Sequence, residues 1–204
     1  MLTGRYSGSP ETTIDYDIRQ VHAQGIHAYA HDLIRGELSE AFWEALLPQG
    51  MNTSVGSSPY FRVFQAAQVK LNDLGFLSRD ITVRELIEVK SDVHHVFPRD
   101  YLKKNGHARG QYNQIANYAV AQSEINIAIS SKEPRVYFGQ LLEQCHGGPK
   151  RYGNITDVAL LRENLREHCI PDGIEQMTIM DYTGFLIERR KLMARKIRDY
   201  FESL

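Results

Sequence analysis

A chain of 204 residues, 42% hydrophobic and 24% charged, has the composition of a soluble globular protein with enough length for one substantial core. Its formal net charge of -1 excludes a protein that coats nucleic acid by bulk charge, so any nucleic-acid contact has to come from a local basic face. The two cysteines, Cys145 and Cys169, form no Cys-x-x-Cys pair, which excludes a structural zinc of that type and suits unpaired thiols in a reducing cytoplasm. The longest apolar runs fall far short of a membrane span, and the opening Met-Leu-Thr-Gly-Arg-Tyr lacks the basic and apolar regions of a secretory signal, so the chain reads as cytoplasmic.

Residues 1–10 are rich in Gly and Ser and read as an exposed lead-in, after which Ile14, Ile18 and Val21 recur at helical spacing. Ser39 can cap a short helix carrying Phe42, Trp43, Leu46 and Leu47, with Pro48 as its stop. Ser58-Pro59 opens a longer helix, an N-cap followed by proline where its missing N–H costs nothing, and Gly75 is the expected terminator. Thr82-Val-Arg-Glu85 is a capping-box pattern for one more helix. Residues 1–90 thus read as a helical buttress. His22, His27 and His31 fit no single helix face and carry no metal-site reading.

At Asp92 the pattern changes. In Asp-Val-His-His-Val-Phe-Pro (92–98) the segment up to Phe97 reads as a strand interrupted at its centre by two imidazoles, which a strand destined only for the core would not need. A short helix over 99–104, a loop up to Asn113, a second strand over 115–120 and a helix capped by Ser123 follow. Asn117 and Asn126 each sit as polar side chains inside apolar segments, and Pro134 opens a further helix through Leu142. Residues 91–145 form the expected core, and 146–204 a set of C-terminal helices, the last starting near Thr178. On that last helix Arg189, Arg190, Lys191, Arg195, Lys196 and Arg198 crowd together and predict a basic face. The whole is expected to be one α+β domain, mostly α-helical with a small two-stranded core.

A His-rich strand, a loop, and two spaced Asn residues closing on a helix resemble the HNH, or His-Me finger, nucleases with their ββα-metal fold. The longer string His-His-Val-Phe-Pro-Arg-Asp-Tyr-Leu-Lys-Lys-Asn-Gly, then Tyr-Asn-Gln-Ile-Ala-Asn-Tyr, resembles more specifically the C-terminal nuclease domain of GmrSD-type modification-dependent restriction proteins. That likeness extends to Phe-Leu-Ile-Glu-Arg-Arg-Lys-Leu-Met-Ala near the end of the chain. It implies a metal-dependent DNA endonuclease or nickase serving restriction of foreign or modified DNA. His95 stands at the general-base position, His94 at the first metal ligand, Asn117 at the central Asn that braces the loop, and Asn126 at the last ligand. Lys132 is a candidate phosphate contact, and Asp92 is either an acceptor orienting an imidazole or a polar strand entry. His94 stands where many relatives carry Asp, and an imidazole is a softer ligand than a carboxylate, so manganese, nickel and cobalt join magnesium as candidate divalent ions. In the restriction proteins this domain follows an N-terminal nucleotide-hydrolysing domain, which this sequence lacks, so the chain is expected to be a fragment or a stand-alone relative.

Ideal alternation would send His94 and His95 to opposite faces of a strand, which predicts a twist or bulge that brings them together. Two rival readings accompany the nuclease: a catalytically idle DNA-binding or regulatory module with the same fold, and an RNA-cleaving enzyme.

Overall fold

The computed structural model describes residues 2–90 and 93–204, so Asp92 and the role expected of it lie outside the described residues. The elements run α1 (Pro10–Gln24), α2 (Ile26–Glu37), a π-turn (Phe42–Leu46) continuing into α3 (Leu47–Gly50), α4 (Pro59–Leu71) and α5 (Val83–Glu88). The central part follows as β1 (Val93–His95), α6 (Arg99–Lys104), α7 (Arg109–Tyr112), a 3-10 turn (Ile115–Asn117), β2 (Tyr118–Val120) and α8 (Ser123–Ile129). The chain closes with α9 (Pro134–Cys145), α10 (Val158–Glu167) and α11 (Tyr182–Glu202). The fold is mostly helical with one small antiparallel sheet.

Local signals act where they were expected. Ser58 accepts from Phe61 N, and the reciprocal Thr82–Glu85 box is complete, with Thr82 N on Glu85 Oε2 at 2.7 Å. Two expectations are corrected. Pro48 does not end its helix: Leu47 N reaches five residues back to Phe42 O, and the widened turn carries Pro48 into α3. α4 ends at Asn72 in the left-handed conformation, φ 64°, ahead of Gly75, because an asparagine tolerates that backbone. The helix expected from Ile14, Ile18 and Val21 forms as α1, with the Ile14 and Ile18 side chains exposed and Asp17 buried, held by Arg5, Tyr6 and Tyr29.

Both strands are shorter than the apolar pattern implies. β1 and β2 pair as Val93↔Val120, His94↔Ala119 and His95↔Tyr118, an unbroken antiparallel register with no bulge. Past β1 the backbone pairing continues one residue, with Val96 N donating to Asn117 O at 2.8 Å, and side-chain bonding then takes over, since Asn117 Oδ1 accepts from Phe97 N at 2.8 Å. One large core lies between this ribbon and α4, α9 and α11, and Phe97 packs on Tyr182 and Phe185 with ring centroids 5.0 and 4.9 Å apart.

The last helix departs most from expectation. Arg189 is fully buried and donates to three carbonyls: Ala116 O at 2.9 Å, Tyr118 O at 2.8 Å and His168 O at 3.1 Å. Lys196 pairs with the buried Asp73 and donates to Glu167 O, and Arg198 grips Glu40 and Glu202. Arg190 donates to Asn52 and Lys191 to Glu188, which leaves Arg195 as the one of the six without a polar partner among the described residues. The predicted basic face of α11 is therefore largely committed: Arg189 and Lys196 satisfy backbone carbonyls and a carboxylate of neighbouring elements, and Arg198 holds Glu40.

Arg189→Met keeps the packing stem but strands three buried carbonyls. Each unsatisfied buried polar group costs on the order of 1–3 kcal/mol, so urea unfolding should show a loss of about 2–4 kcal/mol after part of the charge-burial cost is recovered. A variant within about 0.5 kcal/mol of the parent would contradict this role for the guanidinium.

Candidate functional site

Val93, His94, His95, Pro98, Arg99, Asp100, Asn126 and Ser130 line one cleft of about 360 Å³. Three consecutive residues of β1 reach it because it lies along that strand's edge. Alternation is kept: His94 is buried and bonds toward α8, while His95 is half-buried and bonds toward the end of α7. The bulge expected to unite the histidines is unnecessary, because the cleft is shared from both sides of a two-stranded ribbon.

His94 Nδ1 lies 2.7 Å from Asn126 Oδ1. As the neutral imidazole it donates Nδ1–H to the amide oxygen, and its Nε2 is buried without a hydrogen-bond partner. The ring stacks on Phe76, centroids 5.6 Å apart and planes 20° from parallel. Burial pushes its pKa down to about 4, against the hydrogen bond to Asn126, which favours the charged form. Phe76 also meets His168 edge-on, and His168 is buried, donates Nε2–H to Leu74 O at 2.8 Å, accepts at Nδ1 from Gln68 Nε2 at 3.4 Å, and is held down to about 3 by the same desolvation.

His95 is oriented by a residue outside the predicted set. Its Nε2 donates to Asn113 Oδ1 at 3.0 Å, which leaves Nδ1 as the nitrogen with a lone pair. Burial lowers its pKa, so the base form is present at neutral pH. The ring stands edge-on to Tyr118 at 5.1 Å.

Among the described residues the Asn117 side chain hydrogen-bonds neither imidazole. Fully buried, it accepts from Phe97 N and donates to Phe97 O at 3.0 Å and to Tyr112 O at 3.2 Å. Its amide therefore ties the backbone two residues after His95 to the backbone one residue before Asn113. An aspartate in this place would lose both donated bonds. Lys132 lies outside the cleft lining: its Nζ donates to Ala128 O, satisfying a carbonyl near the end of α8, and sits 5.3 Å from the centre of the Tyr152 ring.

For a divalent ion the pair His94 Nδ1 and Asn126 Oδ1 has suitable geometry. Two donors each about 2.1 Å from one ion and roughly at right angles lie about 3 Å apart, close to the separation here. Ligation requires the imidazole proton to move to Nε2, where it finds no partner, so binding carries a cost at that atom. Among the described residues no group of three His, Cys, Asp or Glu side chains converges, and this pair would leave most of the coordination shell to water and substrate oxygens. Asp100 shares the cleft, but its carboxylate faces Arg99 at 3.1 Å and Lys103 at 3.8 Å.

No family model matches the chain, and no solved structure matches it. It is 25% identical over 213 residues to the uncharacterized protein MJ0686 of Methanocaldococcus jannaschii, an alignment covering 97% of this chain and 35% of that protein. The chain thus spans about a third of the length of that relative.

The two buried imidazoles make stability depend on pH. Both His94 and His168 stay neutral in the folded protein well below the free value of about 6.5, where the unfolded chain binds protons. Their contribution is fully present above about pH 6.5 and is lost as pH falls toward about 4, at up to about 1.4 kcal/mol per pH unit for each. Asp73 and Glu167, raised by burial, take up protons earlier when folded and act in the opposite sense. Urea midpoints measured from about pH 7 to about pH 4.5 should fall steadily, and a flat profile would contradict burial of both rings in the neutral form.

Proposed function

We propose that the protein is a divalent-metal-dependent DNA endonuclease of the ββα-metal type, acting as a nickase in restriction of foreign or modified DNA. The observation that carries this reading is the convergence, in one cleft, of a His94–Asn126 donor pair with a neutral His95 whose ring is fixed by Asn113.

The chemistry assigns separate work to each residue. His95 Nδ1 takes a proton from water while the water oxygen's electron pair forms the new bond to phosphorus, and the bond to the sugar oxygen breaks with its pair going to that oxygen. A positioned base of this kind contributes about 10²–10⁴-fold. Asn113 holds the imidazole in the tautomer the step needs, and Asn117 keeps the two segments bearing His95 and Asn113 at fixed separation. His94 and Asn126 would hold the ion, which supplies charge neutralisation on the phosphate and on the departing oxygen. An imidazole–amide pair favours manganese, nickel or cobalt over the harder magnesium. No described helix is long and apolar enough to cross a membrane.

Supercoiled plasmid incubated with a panel of divalent ions should be converted to the nicked circle, and EDTA should abolish the conversion. Cleavage untouched by EDTA would sink the metal-dependent reading, and failure with every ion would leave an idle binding module.

Adjacent histidines should respond differently. His95→Ala should retain metal binding and lose about 10²-fold or more in rate, whereas His94→Ala should raise the metal requirement and be partly restored at high metal. His94→Asp should stay active and shift toward magnesium. If His94→Ala abolishes cleavage at saturating metal while His95→Ala only raises the metal requirement, the two roles are exchanged.

A further inference from the structure

We infer that α6 and α7, the two short helices between the strands, form the seat for the phosphate backbone of a DNA duplex, a surface gripped through charge and without reading bases. This rests on the nuclease reading and deepens it by assigning the substrate surface. Between Arg99 and Tyr112 the chain carries Arg99, Lys103, Lys104 and Arg109 against the single carboxylate of Asp100, in a protein whose net charge is -1. All four cations are exposed, while Leu102 and Tyr112 are buried and pin the two helices to the core.

The placement connects this surface to the cleft. Arg99 lines it directly, and Lys103, four residues on and so on the same helix face, lies 5.6 Å over the ring of Tyr112, which packs edge-on to His95. Lys104 and Arg109 have no ion pair among the described residues. Arg99 and Lys103 share Asp100, but exposed pairs of this kind are weak, so phosphate oxygens can replace that carboxylate. On the alternative basic surface, α11, Arg189 and Lys196 are held by internal partners and Arg198 by Glu40 and Glu202, which leaves fewer free cations than on α6 and α7.

Duplex is favoured over single strands by the aromatic residues. Single-stranded DNA and RNA are held largely by bases stacking on exposed rings. Here Tyr112 is buried, Tyr101 is tied through its hydroxyl to Glu133, and His107 packs edge-on to Tyr182. What remains exposed is charge, which suits a regular backbone.

The test uses the His95→Ala protein, silenced for cleavage, and anisotropy of a labelled duplex across a range of NaCl concentrations. Adding Lys104→Ala and Arg109→Ala, both at exposed positions that leave the core intact, should weaken binding equally for two unrelated duplex sequences. The dependence of log K on log salt should flatten by about two units, roughly 0.9 for each lost phosphate contact. Asp100→Asn should tighten binding by removing the one competing carboxylate. An unchanged salt slope would overturn the proposal, as would single-stranded DNA or RNA binding more tightly than duplex. Plasmid nicking by the parent protein separates the two ideas. Nicking with an unchanged slope keeps the nuclease and rejects this surface, whereas a flattened slope without nicking keeps the surface and rejects the nuclease.

Discussion

The candidate site depends on one buried guanidinium. Desolvation lowers the Arg189 pKa to about 10, yet it remains charged at neutral pH, and it is surrounded by main-chain carbonyls instead of a carboxylate. Two of those carbonyls, Ala116 O and Tyr118 O, belong to the residues on either side of Asn117. The peptide before Asn117 and the one after Tyr118 are thereby held from α11, and the Asn117 amide passes the constraint to Phe97 and Tyr112. From there it is a short step to His95 and to Asn113. A planar fork with five donors suits this task, since a lysine ammonium in the same place could not reach three separated acceptors in fixed directions.

His94 and His95 are neighbours on one strand with opposite surroundings. Phe76 stacks on His94 and is itself backed by His168, so the His94 ring sits in a dry wall with one nitrogen aimed at Asn126 and the other without a partner. An orphaned buried nitrogen is expensive, and it persists where neighbouring packing overdetermines the ring's position. His95, half-buried with its tautomer set by Asn113, keeps access to the cleft. Alternation along a strand, which at first looks like an obstacle to a shared site, produces this division of labour.

Local chemistry was legible in the sequence, and remote chemistry was not. The Thr82–Glu85 capping box needs only residues three apart, and Asn117 and Asn126 are visible because an amide is a poor filler among apolar neighbours. Both strands were read too long because apolar pattern cannot register that the Asn117 side chain bonds Phe97 and ends the ladder. Asn113 gave no signal of its own, since a loop asparagine between Tyr112 and Gln114 looks like any turn residue until His95 is seen against it. The cations of α11 were read as a solvent-facing stripe because their partners, Asp73, Glu40 and the carbonyls around Asn117, lie far away in the chain. Lys132, offered as a phosphate contact, donates to a carbonyl only four residues back, that of Ala128.

Arg189 and Asn117 share a property with consequences for how such a chain diverges. Every hydrogen bond they make ends on main-chain atoms, of Phe97, Tyr112, Ala116, Tyr118 and His168. A backbone acceptor is present whatever side chain its residue carries, so the frame around the cleft does not depend on the identity of most residues it grips. Neighbouring positions are free to drift under packing constraints alone while two polar residues hold the geometry. Overall identity is then a poor measure of whether two such chains keep the same frame, and retention of an asparagine and an arginine at these two places is a better one.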